Sequence, residues 1–121
     1  MDTAEKLRLL VKWLDEKNAK NTISVKVSKL TTSTDYFVFT TALNERNAKA
    51  LCDHLEEKMS KEGLTASGKE GYDKGRWILL DLSDIIVNIF VEEERTLYNL
   101  EKLWSGGVFI EPGELINNET I

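Results

Sequence analysis

Two carboxylates, Asp81 and Asp84, flank a short break between strongly apolar runs, the one carboxylate pair near candidate strand ends in the 121-residue chain. Acids paired in this way do general acid–base work or hold a divalent cation. Across a turn the same residues also serve as polar punctuation, with Asp84 accepting backbone hydrogen bonds. The single cysteine and single histidine, Cys52 and His54, fall two positions apart on a helical pattern. That spacing points them about 200° apart, which argues against a nucleophile–base pair. One of each cannot assemble a zinc-ligand set either. Gly68, Gly71 and Gly75 are interleaved with Lys69, Glu70, Asp73 and Lys74. Their spacing fits neither a phosphate-binding loop nor a dinucleotide fingerprint. No catalytic residues, no metal site and no cofactor motif emerge, and a binding protein rather than an enzyme is expected.

The acids belong to the stretch that organises the chain, Gly75 to Trp104. Its two apolar runs flank Leu82-Ser83-Asp84, and an acidic Glu92-Glu93-Glu94 then leads into a helical pattern. Neither run exceeds about eight residues, the length of a strand and far below the roughly twenty of a membrane span. A hairpin with an even turn centred between Leu82 and Ser83 would set Leu80 opposite Ile85, Ile78 opposite Val87, and Trp77 opposite Asn88. Opposed residues share a face, and faces alternate along each strand. One face then holds Ile78, Leu80, Leu82, Ile85, Val87 and Ile89, all aliphatic. The other holds Trp77, Leu79, Asp81, Asp84, Ile86, Asn88 and Phe90, the mixed composition of a surface built for contact.

The elements that must carry this hairpin follow from spacing. Asp2 or Thr3 can cap a first helix with apolar residues at Ala4, Leu7, Leu10, Val11 and Leu14, and Trp13 at the edge of the stripe. Residues 22–29 alternate as a half-exposed strand, and Tyr36–Thr41 reads as a central strand covered on both faces. Asn44 can cap a second helix running to about Glu62, with Gly63 as its stop and Ala48, Leu51, Leu55 and Met59 buried. Cys52 lies beside that stripe as a small core residue, and His54 falls off it toward solvent. Leu64–Ser67 suits a short edge strand. After Val91, a third helix would bury Leu97, Leu100, Leu103 and Trp104, with the preceding glutamates near its N-terminus. The sum is an α/β (α+β) layer with a mixed five-stranded sheet and packed helices, one domain over 1–104, and a loosely ordered tail over 105–121.

Composition agrees with one soluble domain, 41% hydrophobic and 31% charged. The absence of an apolar leader or membrane span, together with a lone cysteine, suits a cytoplasmic, reducing location with no membrane partner. The net charge of −5 is unevenly spread: residues 1–80 carry 14 Lys+Arg against 12 Asp+Glu, and residues 81–121 carry 2 against 9. An acidic C-terminal third opposes direct nucleic-acid binding and suits a basic protein partner, although surface acids also serve simple solubility.

Residues 70–104, EGYDKGRWILLDLSDIIVNIFVEEERTLYNLEKLW, resemble the signature of the ribosomal silencing factor family, RsfS/Iojap, and DYFVFTTALNERNAKALCDHL at 35–55 resembles its second strand and following helix. The resemblance covers roughly residues 3–104. It implies a nucleotidyltransferase-like fold without transferase activity. It further implies binding to the large ribosomal subunit through that subunit's fourteenth protein (uL series), with little direct nucleic-acid contact. Occupying that face would block joining of the small subunit and lower translation when nutrients are short. Plant and mitochondrial relatives act in large-subunit assembly, which makes an assembly factor the neighbouring alternative and a nucleotidyltransferase-like enzyme a remote one. Two departures stand out. Ala42-Leu43-Asn44 replaces the family's usual Gly-x-Ser, and Asn88 replaces its common histidine, retaining hydrogen bonding without titration. On this reading Trp77 is the aromatic anchor of a protein interface and Tyr98 a second. Lys74, Arg76, Asp81, Asn88 and Glu101 supply polar rim contacts. The same mixed face could pair two copies as a homodimer when the protein is free.

Overall fold

The computed structural model describes residues 1–116. Asp2 caps the first helix, α1 (Thr3–Glu16), its carboxylate accepting from the Glu5 amide at 2.8 Å. Asn44 caps α2 (Glu45–Lys61) by accepting from the Asn47 amide at 2.8 Å, and the Asn47 side chain returns the bond to the Leu43 amide at 2.9 Å. The stripes expected from spacing are buried except for Ala4, which is exposed: Leu7, Leu10, Val11 and Leu14 on α1, joined by Trp13 from the stripe's edge, and Ala48, Leu51, Leu55 and Met59 on α2, joined by the adjacent Cys52.

Among the described residues six strands form one mixed sheet: β1 (Lys20–Lys26), β2 (Tyr36–Ala42), β3 (Gly68–Glu70), β4 (Trp77–Asp81), β5 (Ile85–Val91) and β6 (Val108–Ile110), in spatial order β3-β4-β5-β2-β1-β6. Only β2 and β5 run parallel; the remaining neighbours are antiparallel. The α/β class is as expected, with one strand more than the five read from the sequence. That strand, β6, comes from the segment expected as a loose tail. It pairs with β1, and α5 (Pro112–Ile116) follows it, with Leu115 and Ile116 against the core. The rest of that expected tail, 117–121, lies outside the described residues. The edge strand expected at 64–67 falls instead at Gly68–Glu70. Leu64 and Ala66 insert into the core, and backbone pairing with Asp81 begins at Ser67.

The hairpin register differs by two residues from the expected one. Trp77 lies opposite Phe90, Ile78 opposite Ile89, Leu79 opposite Asn88, and Leu80 opposite Val87. The turn is centred one residue later, on Ser83-Asp84. Ser83 adopts φ +74°, its amide donates to the Asp81 carboxylate at 2.7 Å, and the Leu82 amide closes onto the Ile85 carbonyl at 2.9 Å. A shift of two keeps the strand side chains on their expected faces, because the strand period is two, whereas Asp84, in the turn, reaches α1 and not the Trp77 face. Ile78, Leu80, Ile85, Val87 and Ile89 therefore pack with Val38 and Ala42 beneath α1 and α2.

The opposite face buries Ile23, Val25, Val27, Phe39 and Phe90, with Phe37, Trp77, Leu100 and Trp104 packed on them. The covering segment departs from expectation. One continuous helix is replaced by α3 (Glu92–Tyr98) and α4 (Leu100–Leu103), broken at Asn99, whose φ of +45° is left-handed. Asparagine tolerates that conformation better than other non-glycine residues. The break turns Leu100 and Trp104 inward and leaves Leu97 and Leu103 73% and 70% exposed, so the expected four-residue buried stripe is only half realised. His54 is likewise not solvated: its Nε2 meets the Glu16 carboxylate at 3.1 Å, tying α2 to α1.

Candidate functional site

The mixed hairpin face places Trp77 at the centre of a small aromatic assembly. The indole lies 5.1 Å from the Phe90 ring, nearly parallel, and 4.8 Å from the tilted Tyr98 ring contributed by α3. Its N–H donates to Asn88 Oδ1 at 3.0 Å. This contact is diagonal: Asn88 stands opposite Leu79 in the backbone, and its side chain reaches across to the indole. Aromatic contacts then cross the sheet from Phe90 to Phe39, Phe37 and Trp104. Edge-tilted and offset ring pairs of this kind each add about 0.5–1.5 kcal/mol beyond simple burial.

Exposure divides the expected site residues. Trp77 is partly exposed and Tyr98 half exposed, so both rings can be covered by a partner. Asn88 is 1% exposed and cannot be a rim contact. Its place is to fix the indole, with its amide N–H groups aimed at the Val38 and Ile86 carbonyls, each 3.5 Å away. Lys74 is exposed on the loop before β4. Arg76 joins two helix starts, meeting Glu94 at 2.9 Å, Glu93 at 3.1 Å and Glu45 at 3.9 Å. Asp81 is spent on the Ser83 amide at the turn. Glu101 is held by Arg95 at 2.8 Å.

Arg95 is the residue that sequence reasoning missed. Besides Glu101, its guanidinium donates to the Asn21 carbonyl at 2.6 Å and to the Thr41 hydroxyl at 2.8 Å. One side chain thus clamps α3 and α4 to β1 and β2 across the Asn99 break. The available signal was its rarity, as one of two basic residues after position 80.

Asp81 and Asp84 do not converge on a site. Asp84 accepts from Lys6 at 2.7 Å and from Thr3 at 2.6 Å, tying the N-terminal helix to the hairpin turn. Burial pushes its carboxyl upward, but the hydrogen bonds and charge from Lys6 and Thr3 outweigh that and hold it below the usual carboxylate value. Cys52 is driven the other way. Burial first, and the neighbouring Glu56 carboxylate second, push its thiol up to about 12, the opposite of an activated nucleophile. Among the described residues no group of acids, histidines and cysteine is arranged to hold a metal ion, and no helix is long and apolar enough to cross a membrane.

Comparison with known proteins points in one direction. A family model described as "Ribosomal silencing factor during starvation" matches residues 1–120. The chain is 32% identical over 111 residues to a ribosomal silencing factor RsfS from Halalkalibacterium halodurans, covering 92% of this chain and 95% of that protein. It superposes on a crystal structure of a Chromobacterium violaceum protein with a TM-score of 0.84 at 30% identity, covering 87% and 88% of the two chains. It is also 30% identical over 117 residues to the mouse "Mitochondrial assembly of ribosomal large subunit protein 1", covering 93% of this chain and 51% of that protein.

Proposed function

Since the chain belongs to the family of ribosomal silencing factors, we propose that it binds the large ribosomal subunit and represses translation by sterically blocking the small subunit's approach. The partner surface is the subunit's fourteenth protein (uL series), reached in the cytoplasm through protein–protein contact without chemistry. The observation that carries this reading is the preorganised Trp77–Tyr98 pair. Its indole is fixed by Asn88 and backed by Phe90, yet both rings retain exposed surface. A large aromatic that is already ordered loses little conformational freedom on binding, and such residues dominate interface energies.

Charge supports a protein partner over RNA. Residues 81–121 carry 9 acids against 2 basic residues, so phosphate is disfavoured and a basic protein surface suits the site. Lys74 and the partly exposed Arg76 supply polar contacts at its margin, while Asn88 and Asp81 act from behind, one fixing the indole and the other the turn. The test is co-sedimentation with purified large subunits. Trp77→Ala should weaken binding by about 2 kcal/mol or more, roughly 30-fold. Unchanged co-sedimentation would reject the anchor role.

A second reading, action on the maturing large subunit, is favoured by the name of the mouse relative. Both readings use one interface. They separate on whether subunit joining is blocked when mature subunits are supplied.

A further inference from the structure

The corner where β6 begins holds a small cleft that the proposed ribosome contact does not use. Leu30, Gly106, Gly107 and Val108 supply its apolar lining, around a volume of about 130 Å³. Gly107 admits no side chain: an added Cβ would fall 2.6 Å from Val25 Cγ1 and 2.7 Å from the Lys26 carbonyl oxygen. At Gly106 an added Cβ would sit 3.5 Å from the Leu30 side chain. Leu30 is 50% and Val108 62% exposed, so the apolar lining faces solvent. Lys26 and Lys29 line the same cleft, with Lys26 directly opposite Val108 on β1. Both are exposed, and among the described residues neither ammonium meets a carboxylate or lies over a ring.

We propose that this cleft docks an acidic segment of another protein, taking one aliphatic side chain between Leu30 and Val108 and the flanking carboxylates on Lys26 and Lys29. Size selects the class of ligand. Pockets for small molecules run to about 300–1,000 Å³, whereas this one suits a single side chain of a longer chain. Charge selects the sign: two unpaired ammonium groups beside an apolar surface attract carboxylates and repel basic segments. Nucleic acid fits less well, because no aromatic ring lines the cleft for a base to stack on. Glu111 and Glu114, beyond the far end of β6, orient the segment by keeping its acids at the lysine end. Trp77 stands four strand spacings away, about 19 Å across the sheet, so both surfaces can be occupied together. The chain would then hold a basic partner at the hairpin face and an acidic one at this corner, recruiting the second protein to whatever the first face binds.

The test is titration of the full chain, labelled with nitrogen-15, with the end-capped peptide Glu-Asp-Leu-Asp-Glu, read by amide chemical shifts. Signals from residues 26–30 and 106–108 should move saturably, and those around Trp77 should stay in place. A peptide with serine in place of leucine should bind about ten-fold more weakly or worse, because the apolar contact is lost. Lys26→Glu combined with Lys29→Glu should cost a similar factor, and so should Leu30→Glu, which changes a half-exposed side chain and leaves the fold intact by circular dichroism. All these variants should co-sediment with large subunits as the wild type does. The peptide titration contains no ribosome, so its failure and failure of the silencing reading are separate results. Absence of saturable shifts would overturn the proposal, as would equal binding of the serine peptide, which would mean attraction by charge alone. Shifts at residues 26–30 and 106–108 that follow protein concentration without peptide would assign the cleft to a second copy and overturn it too.

Discussion

Replacing Trp77 with phenylalanine isolates the hydrogen bond that orients the proposed anchor. The phenyl ring keeps the contacts with Phe90 and Tyr98, but the N–H that donates to Asn88 at 3.0 Å is gone. Asn88 is 1% exposed, so water cannot easily take the vacated place, and its Oδ1 has no other partner among the described hydrogen bonds. A buried acceptor left unpaired costs about 1–3 kcal/mol. With about 2 kcal/mol as the central value, the melting temperature should fall by roughly 6–10 °C at this chain length. Urea unfolding followed by circular dichroism measures the loss without relying on the removed indole. Adding Asn88→Leu should recover most of it, because the orphaned Oδ1 is removed and the Val38 and Ile86 carbonyls give up only long contacts of 3.5 Å. Binding to large subunits should fall less for Trp77→Phe than for Trp77→Ala, since most of the ring stack survives. A Trp77→Phe protein within about 0.5 kcal/mol of wild type, or a double variant as costly as the two single changes summed, would refute the reasoning.

Three further outcomes follow from the same geometry. The Asp84 carboxyl titrates below its unfolded value, so its contribution is complete above about pH 4 and is lost as pH falls through the lower folded value. Asp84→Asn should therefore lose about 1–2 kcal/mol at pH 7 and show a shallower acid limb in a stability–pH profile; parallel profiles would contradict this. Arg95→Met should release α4 from its clamp at a cost of about 2–3 kcal/mol. Hydrogen exchange should then speed up over residues 99–104 more than over β5, and uniform loss of protection would argue against a local clamp. With Cys52 pushed up to about 12, its thiolate fraction at pH 8 is on the order of one in ten thousand. A disulfide reagent should react slowly with the native protein and rapidly in urea, and immediate native labelling would show the site to be open.

The buried stripes of α1 and α2 were legible because a core-facing helix repeats its apolar residues every three or four positions. The faces of the hairpin were legible for a related reason: a two-residue slip leaves the alternation intact, even though Trp77 pairs with Phe90 and not Asn88. The turn centre was not legible, because it depends on the left-handed backbone of Ser83, a residue with little intrinsic preference for that conformation. The break at Asn99 was hidden in an apolar spacing that suits a continuous helix, and it reverses the fate of Leu97 and Leu103. β6 escaped notice because three residues give too short an alternation to read, and its existence depends on pairing with distant β1. At the candidate site, Trp77 and Tyr98 could be picked out by residue type. The interior placement of Asn88 and the clamp made by Arg95 arise from tertiary contacts across 11 to 74 positions in the chain, which no local pattern records.

The central claim concerns subunit joining, and a light-scattering or sedimentation assay of purified subunits with added protein addresses it most directly. Stoichiometric wild-type protein should hold large subunits apart from small subunits, while Trp77→Ala, folded by circular dichroism, should allow joining at the same concentration. Subunits that join normally in the presence of bound wild-type protein would contradict the account.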